Sequence, residues 1–214
     1  SEIICLDTSE ESIYNLDQLF SKHRSQTILK TVLASVNEEK ECEKVFSENR
    51  PHVVFHAAAY KHVPIQEIHP WTAVKTNLGG TYNIVRFADK YSADRFVLVS
   101  TDKAVNPVNV MGATKRASEL LIQSYNSISK TKFMAVRFGN VLGSSGSAIP
   151  TFQKQINEGG PITITHPEMT RYFMSLQEAS QLILQCGAIG KDGEIFLLEM
   201  GKPIRIVQMA KDLI

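Results

Sequence analysis

Short apolar runs rich in β-branched and aromatic residues alternate along this chain with longer stretches of helical period. That alternation commits it to a parallel sheet with helices on both faces. The runs at 2–6, 27–33, 52–56, 95–100, 132–137, 162–165 and 194–198 read as strands. Between them, 13–23, 38–47, 71–91, 111–129, 148–158 and 176–186 carry apolar residues three and four positions apart and read as helices, and a last amphipathic helix begins near Ile206. The pattern predicts an α/β, Rossmann-like, doubly wound fold built around one main sheet. It loosens after about Gly143, where Gly, Ser and Pro cluster. We therefore expect a main domain at 1–143 and, at 144–214, a smaller lobe with a strand returning to the main sheet.

A dinucleotide fold normally opens with a strand, a G-x-G-x-x-G turn and a helix whose N-terminus holds the pyrophosphate. The chain has no such motif, and 3–7 reads as the second strand of such a fold. The expectation is a fold without its first strand and glycine-rich turn, on a piece of a longer protein. Composition narrows the partners. Lys and Arg (23) nearly balance Asp and Glu (22), which argues against nucleic acid. The odd cysteine count, three, with no C-x-x-C pair, points to reduced thiols in a cytoplasmic setting rather than to a disulfide framework or a metal site. No apolar run approaches the length of a membrane span, so no membrane contact is expected from these residues.

Asp7 follows an apolar strand and precedes a helix, where a Rossmann fold places the acid that accepts from an adenosine ribose and repels a 2'-phosphate; this favours NAD over NADP. Asp-Thr-Ser-Glu-Glu is also helix-capping chemistry in its own right. Ser35 and Val36 end the next strand on the adenine side, where related folds usually carry Asp-Val or Asp-Leu. Ala57, Ala58 and Ala59 let the backbone approach a bulky ligand, and Lys61 and His62 follow at once, with Pro64 fixing the turn. Asn77, Gly79 and Gly80 are poor helix formers inside a helical pattern, so packing or a ligand sets them there.

The densest signal is Val97–Lys115: Ser100-Thr101-Asp102-Lys103, then Asn106-Pro107, then Met111-Gly112-Ala113-Thr114-Lys115. These runs, the earlier His-Ala-Ala-Ala-x-Lys-His-Val-Pro, the later Arg137-Phe138-Gly139-Asn140 and Met169-Thr170-Arg171 closely resemble the polysaccharide-biosynthesis branch of UDP-N-acetylglucosamine 4,6-dehydratases, over essentially the whole chain. Within that branch the chain looks like the long, membrane-associated subgroup with Met in place of the catalytic Tyr. The resemblance implies an extended short-chain dehydrogenase/reductase in which NAD(P) takes hydride from C4 of the sugar, water is lost across C5 and C6, and hydride returns to C6; the rival readings are a nucleotide-sugar 4-epimerase of the same fold and a non-catalytic nucleotide-binding domain.

Carried over residue by residue, the resemblance makes Asp102 the acid at the C6 hydroxyl and Lys103 the base at C5, a division of labour suited to two adjacent groups of different type. Thr101 hydrogen-bonds the C4 oxygen, and Lys115 reaches the nicotinamide ribose. Met111 stands where the superfamily's Tyr-x-x-x-Lys motif has its tyrosine, and a thioether has no proton to exchange. The cofactor is expected to meet Asp7, Ser35, Val36, Ala57, Ala58, Ala59, Lys61, Asn77, Ser100 and Lys115, and the UDP-sugar to meet Lys61, His62, Asn140, Ser147 and Arg171. Arg171, whose fork suits a pyrophosphate, reads otherwise as a surface ion pair. The family's kind of partner is a second copy, through helices 71–91 and 111–129, and long members carry an upstream membrane region with the catalytic domain in the cytoplasm.

Overall fold

The structure, a computed structural model, describes residues 1–22, 26–144 and 148–214. Strand β1 (Glu2–Asp7) leads through helix α1 (Glu10–Lys22) to β2 (Ile28–Leu33), and α2 (Glu39–Asn49) leads to β3 (Val53–His56). Helices α3 (Val63–Ile68) and α4 (Pro70–Ala73) run into a π-helical segment, Val74–Gly80, and then α5 (Thr81–Lys90). Next come β4 (Arg95–Val99), a 3-10 turn (Asp102–Ala104), α6 (Val110–Tyr125) and β5 (Lys132–Arg137). The remainder holds β6 (Asn140–Val141), α7 (Ala148–Asn157), β7 (Thr170–Arg171), β8 (Phe173–Met174), α8 (Leu176–Ile189), β9 (Ile195–Leu197), β10 (Ile204–Arg205) and α9 (Ile206–Asp212).

The main sheet is parallel with strand order β3-β4-β5-β9, and β1 and β2 form a second parallel pair. The expected single sheet is thus in two groups among the described residues, with no ladder joining β1 to β3. Leu6 of β1 and Val54 of β3 still pack on one core. In β4 and β5 successive residues turn to opposite faces, as the period of two requires. Phe96, Leu98, Phe133 and Ala135 join Phe46 of α2 and Phe87 of α5 on one face. Val97, Met134 and Val136 join Ala179 and Cys186 of α8 on the other. Both faces being covered, these strands are apolar at nearly every position.

Two expectations fail for identifiable reasons. Residues 162–165 form no strand; Ile162 and Ile164 alternate because they pack on Phe152 of α7 and Ile206 and Ala210 of α9, a small third core, without a ladder partner. The helix read over 71–91 keeps helical dihedrals but widens into the π segment at Val74–Gly80. Its poor helix formers have structural work there. A methyl on Gly80 would meet Val36 Cγ2 at 2.5 Å, so only glycine lets this segment close on the loop after β2. No helix among the described residues is long and apolar enough to cross a membrane.

Candidate active site

The carboxyl end of β4 supplies the turn that the sequence singled out. Thr101 caps the 3-10 turn by accepting from Lys103 N (3.3 Å), and Asp102 N donates to Phe138 O (3.1 Å) just beyond β5. Thr101 Oγ1 and Lys103 Nζ both donate to Asp102 Oδ1, each at 2.9 Å. This half-buried trio leaves Asp102 Oδ2 towards Gly139, where a methyl would lie 3.4 Å from it. A carboxyl beside an amine at a strand end is an acid–base pair already held in contact.

Helix α6 faces that turn. Asn109 caps it by accepting from Gly112 N (2.8 Å), and Glu67 of α3 accepts from Val110 N (2.7 Å). Met111, Lys115 and Glu119, spaced one turn apart on the same face, are all buried. A methyl on Gly112 would overlap Lys103 O and stand 3.1 Å from its carbonyl carbon, so glycine is what lets the helix approach the turn. Burial pushes the Lys115 ammonium down to about 8, with Glu119 opposing the fall. Among the described residues the Lys115 ammonium donates no hydrogen bond. Behind it His56, on β3, is held neutral by burial and by the Lys115 charge, its pKa lowered to about 3; its Nε2 shares a hydrogen bond with Thr81 Oγ1 (2.9 Å).

Glu119 is the residue that sequence reasoning missed. Its carboxylate accepts from Ser100 Oγ (2.6 Å), from Arg137 Nε (2.7 Å) and Nη2 (2.6 Å), and from Arg116 Nη1 (3.0 Å). Burial opposes its charge, but those bonds more than offset it and hold the carboxyl below its ordinary value. The Ser100 hydroxyl is thereby turned to Glu119. The signal available was spacing: an acid one turn after Lys115 on an apolar helix face, with an arginine ending the neighbouring strand.

Of the residues expected to meet a dinucleotide, some stay open to a ligand and others are spent on structure. Asp7 is exposed at the end of β1; its Oδ1 accepts from Ser9 N (2.8 Å), while Ser9 Oγ, accepting from Ser12 N (3.2 Å), caps α1. Ser35 Oγ accepts from Asn37 N (3.2 Å), while Val36 is buried against Gly80. Ala57 is exposed and Ala58 and Ala59 half-buried after β3. Asn77 is fully buried and spends its amide on structure, accepting from Tyr60 N (2.7 Å) and donating to Tyr60 O (3.1 Å) and Thr114 Oγ1 (3.0 Å). It ties the alanine loop to α6. The small loop, the carboxylate at β1 and the unspent Lys115 ammonium together suit a ribose-bearing ligand across the strand ends.

Lys61 and His62 are exposed beyond that loop. Asn140 N donates to Tyr172 O (2.9 Å), which helps to join β6, the strand after β5, to β8. Arg171, on β7, donates to Thr170 O (2.9 Å) and forms no ion pair among the described residues. Ser147 lies outside the described residues. Among the described residues no group of three or more His, Cys, Asp or Glu is placed to hold a metal ion.

Comparison with known proteins adds names to this geometry. The chain is 53% identical over 215 residues to the capsular polysaccharide biosynthesis protein CapD of Staphylococcus aureus, covering 100% of this chain and 36% of CapD. Over 67% of the chain it is 43% identical to a UDP-N-acetylglucosamine 4,6-dehydratase (inverting) of Campylobacter jejuni and 44% identical to a UDP-glucose 4-epimerase of Rickettsia canadensis, covering 44% and 43% of those proteins. Pen from Bacillus thuringiensis superposes with a TM-score of 0.90 at 34% identity, over 99% of this chain and 64% of Pen. The chain thus spans about a third of the length of CapD. Residues 1–214 match the family described as polysaccharide biosynthesis protein, and the chain belongs to that family.

Proposed function

We propose that this chain is the catalytic part of a UDP-N-acetylglucosamine 4,6-dehydratase serving surface-polysaccharide synthesis. One observation carries the reading: Asp102 and Lys103, in contact at the end of β4, face a helix that presents Lys115 but has Met111 where a tyrosine would serve C4 chemistry alone. NAD, favoured over NADP by the exposed Asp7, supplies the acceptor and donor of hydride. Lys115 holds the ribose and its charge lowers the energy of oxyanion character at C4. The pair reacts with its shared proton on Asp102: the neutral Lys103 amine takes the proton from C5, and the Asp102 carboxyl gives its own to the departing C6 hydroxyl. The C4 hydroxyl proton leaves through Asp102, Lys103 or a water held by Thr101, since Met111 has no proton to exchange.

Arg171, Asn140, Lys61 and His62 are assigned to the UDP-sugar, with Ala57–Ala59 lining the cofactor side, and residues 144–214 form the substrate lobe. The protein works in the cytoplasm, its catalytic part following an upstream membrane region. A second copy docks on the face of α4 and α6, where Trp71 is 82% exposed beside Pro70, Val74, Val110 and Ala113. Trp71→Glu should reduce the sedimenting mass to that of one chain.

The deciding assay incubates the whole protein with NAD and UDP-N-acetylglucosamine and follows product mass. Loss of one water, abolished by Asp102→Asn or Lys103→Ala, is the expected result. The Rickettsia relative favours a second reading, a 4-epimerase; unchanged mass with inversion at C4 would establish that instead.

A further inference from the structure

Glu119 takes no part in the chemistry just proposed, yet both of its oxygens accept two hydrogen bonds and its side chain is 0% exposed. Packing a helix against a sheet does not call for a buried carboxylate, and apolar side chains of similar volume fill such space at least as well. The three elements it joins are the ones that carry the reacting groups. Ser100 immediately precedes Thr101, Asp102 and Lys103. Arg137 precedes Phe138, whose carbonyl accepts from Asp102 N (3.1 Å), and Gly139, which approaches Asp102 Oδ2. Lys115 lies one turn earlier on the same buried face of α6.

We propose that Glu119 is a positioning residue, clamping the carboxyl ends of β4 and β5 to α6 so that the Thr101–Lys103 turn stays in register with Lys115. This rests on the dehydratase reading above. The clamp also supplies the anion nearest to Lys115 in its helix, and that anion opposes the fall of the Lys115 pKa that burial causes. The other ionisable groups on packed elements leave this role to it. His56 on β3 stays neutral, Asp102 and Lys103 pair with each other, and Glu67 of α3 caps Val110 at the far end of the face. The α5 cations Arg86 and Lys90 pair with Glu39 and Glu43 of α2.

Two substitutions in the whole protein separate geometry from charge. Glu119→Gln keeps the shape and removes the charge, so the alkaline limb of kcat/KM should move to lower pH by at least about half a unit, and the Lys115 titration seen by NMR of carbon-13-labelled lysine should move with it. Glu119→Asp keeps the charge but withdraws it from the Arg137 fork. It should leave that titration in place and lower kcat at least about tenfold with KM for the nucleotide sugar unchanged. Ser100→Ala, which removes one bond and spares the ion pair, should lower kcat without moving the titration, and it carries the test if Glu119→Gln does not fold. Wild-type profiles and kcat in all folded variants would overturn the clamp. A wild-type protein that releases no water would instead sink the dehydratase reading, and the lysine titration in Glu119→Gln would still decide whether the clamp sets Lys115.

Discussion

Gly112→Ala should damage the site more than it damages the fold. Gly112 sits in the first turn of α6, where replacing glycine by alanine ordinarily adds about 0.5–1 kcal/mol of stability. Here the new methyl would overlap the carbonyl oxygen of Lys103 and lie 3.1 Å from its carbonyl carbon. Carbon and carbonyl oxygen in ordinary contact stand about 3.3–3.6 Å apart, so the 3-10 turn must retreat by on the order of 1 Å. Forcing a methyl into a packed site costs about 1–3 kcal/mol, which leaves a net loss of up to about 2.5 kcal/mol. The displaced atoms belong to Asp102 and Lys103, and a misplacement of that size costs about 100-fold in rate. Gly79→Ala is the matched control, because the nearest heavy atom to its methyl is Val74 O at 3.9 Å. Urea unfolding should show Gly79→Ala unchanged or stabilised and Gly112→Ala destabilised, with turnover lost in Gly112→Ala alone. A Gly112→Ala protein that is stabilised like the control and keeps turnover would refute the close approach of α6 to the turn.

Met111→Leu, a swap that conserves volume, should cost less than about 1.5 kcal/mol and keep turnover within roughly threefold; a loss beyond tenfold, measured by product mass, would make the thioether part of the chemistry. Lys115→Met should abolish turnover yet stabilise the fold near neutral pH by roughly 1–3 kcal/mol in urea unfolding, because burial depresses the lysine to about 8 from 10.5. The unfolded chain holds that proton more tightly, so wild-type stability should rise between pH 8 and 10.5, and the rise should vanish in the variant. His56, ordinarily near 6.5 and held at about 3, makes stability fall as pH drops below 6.5, by about 2 kcal/mol at pH 5. Unfolding midpoints of His56→Gln should flatten over that range, and an unchanged slope would remove His56 as the cause.

The strands around the site were legible because β4 and β5 are apolar on both faces and bounded by polar turns. The same reasoning misread 162–165, since two isoleucines two residues apart satisfy a strand pattern and a helix-packed loop equally. The turn at Thr101–Lys103 was legible as a motif; its geometry was not, because the contact that sets it is a missing methyl at Gly112. Asn77 and Gly80 were marked as anomalies, but the loop–helix tie and the close approach to Val36 that they serve depend on partners 17 to 44 residues away. Glu119 is the clearest loss. On one helix it reads as a solvated acid, and only the fold brings it the strand-end arginine and serine that justify its burial.

Two opposite charges thus lie one turn apart on the buried face of α6, and the protein treats them differently. Glu119 has every lone pair engaged and stays ionised, whereas the Lys115 ammonium donates no hydrogen bond among the described residues and is half neutral near pH 8. An ammonium on a buried side chain with no protein acceptor is costly unless a ligand or water provides acceptors for it. If Lys115 meets the ribose of a dinucleotide, those acceptors favour the charged form and raise its pKa above about 8 on binding. Dinucleotide binding at pH 8 should then take up as much as about half a proton per site, and the uptake should fade below pH 7, where Lys115 is already charged. Calorimetric titration in two buffers of different ionisation enthalpy measures this directly. Binding without proton uptake at pH 8 would mean that Lys115 does not contact the ligand, and the assignment of α6 as the cofactor-facing helix would fall with it.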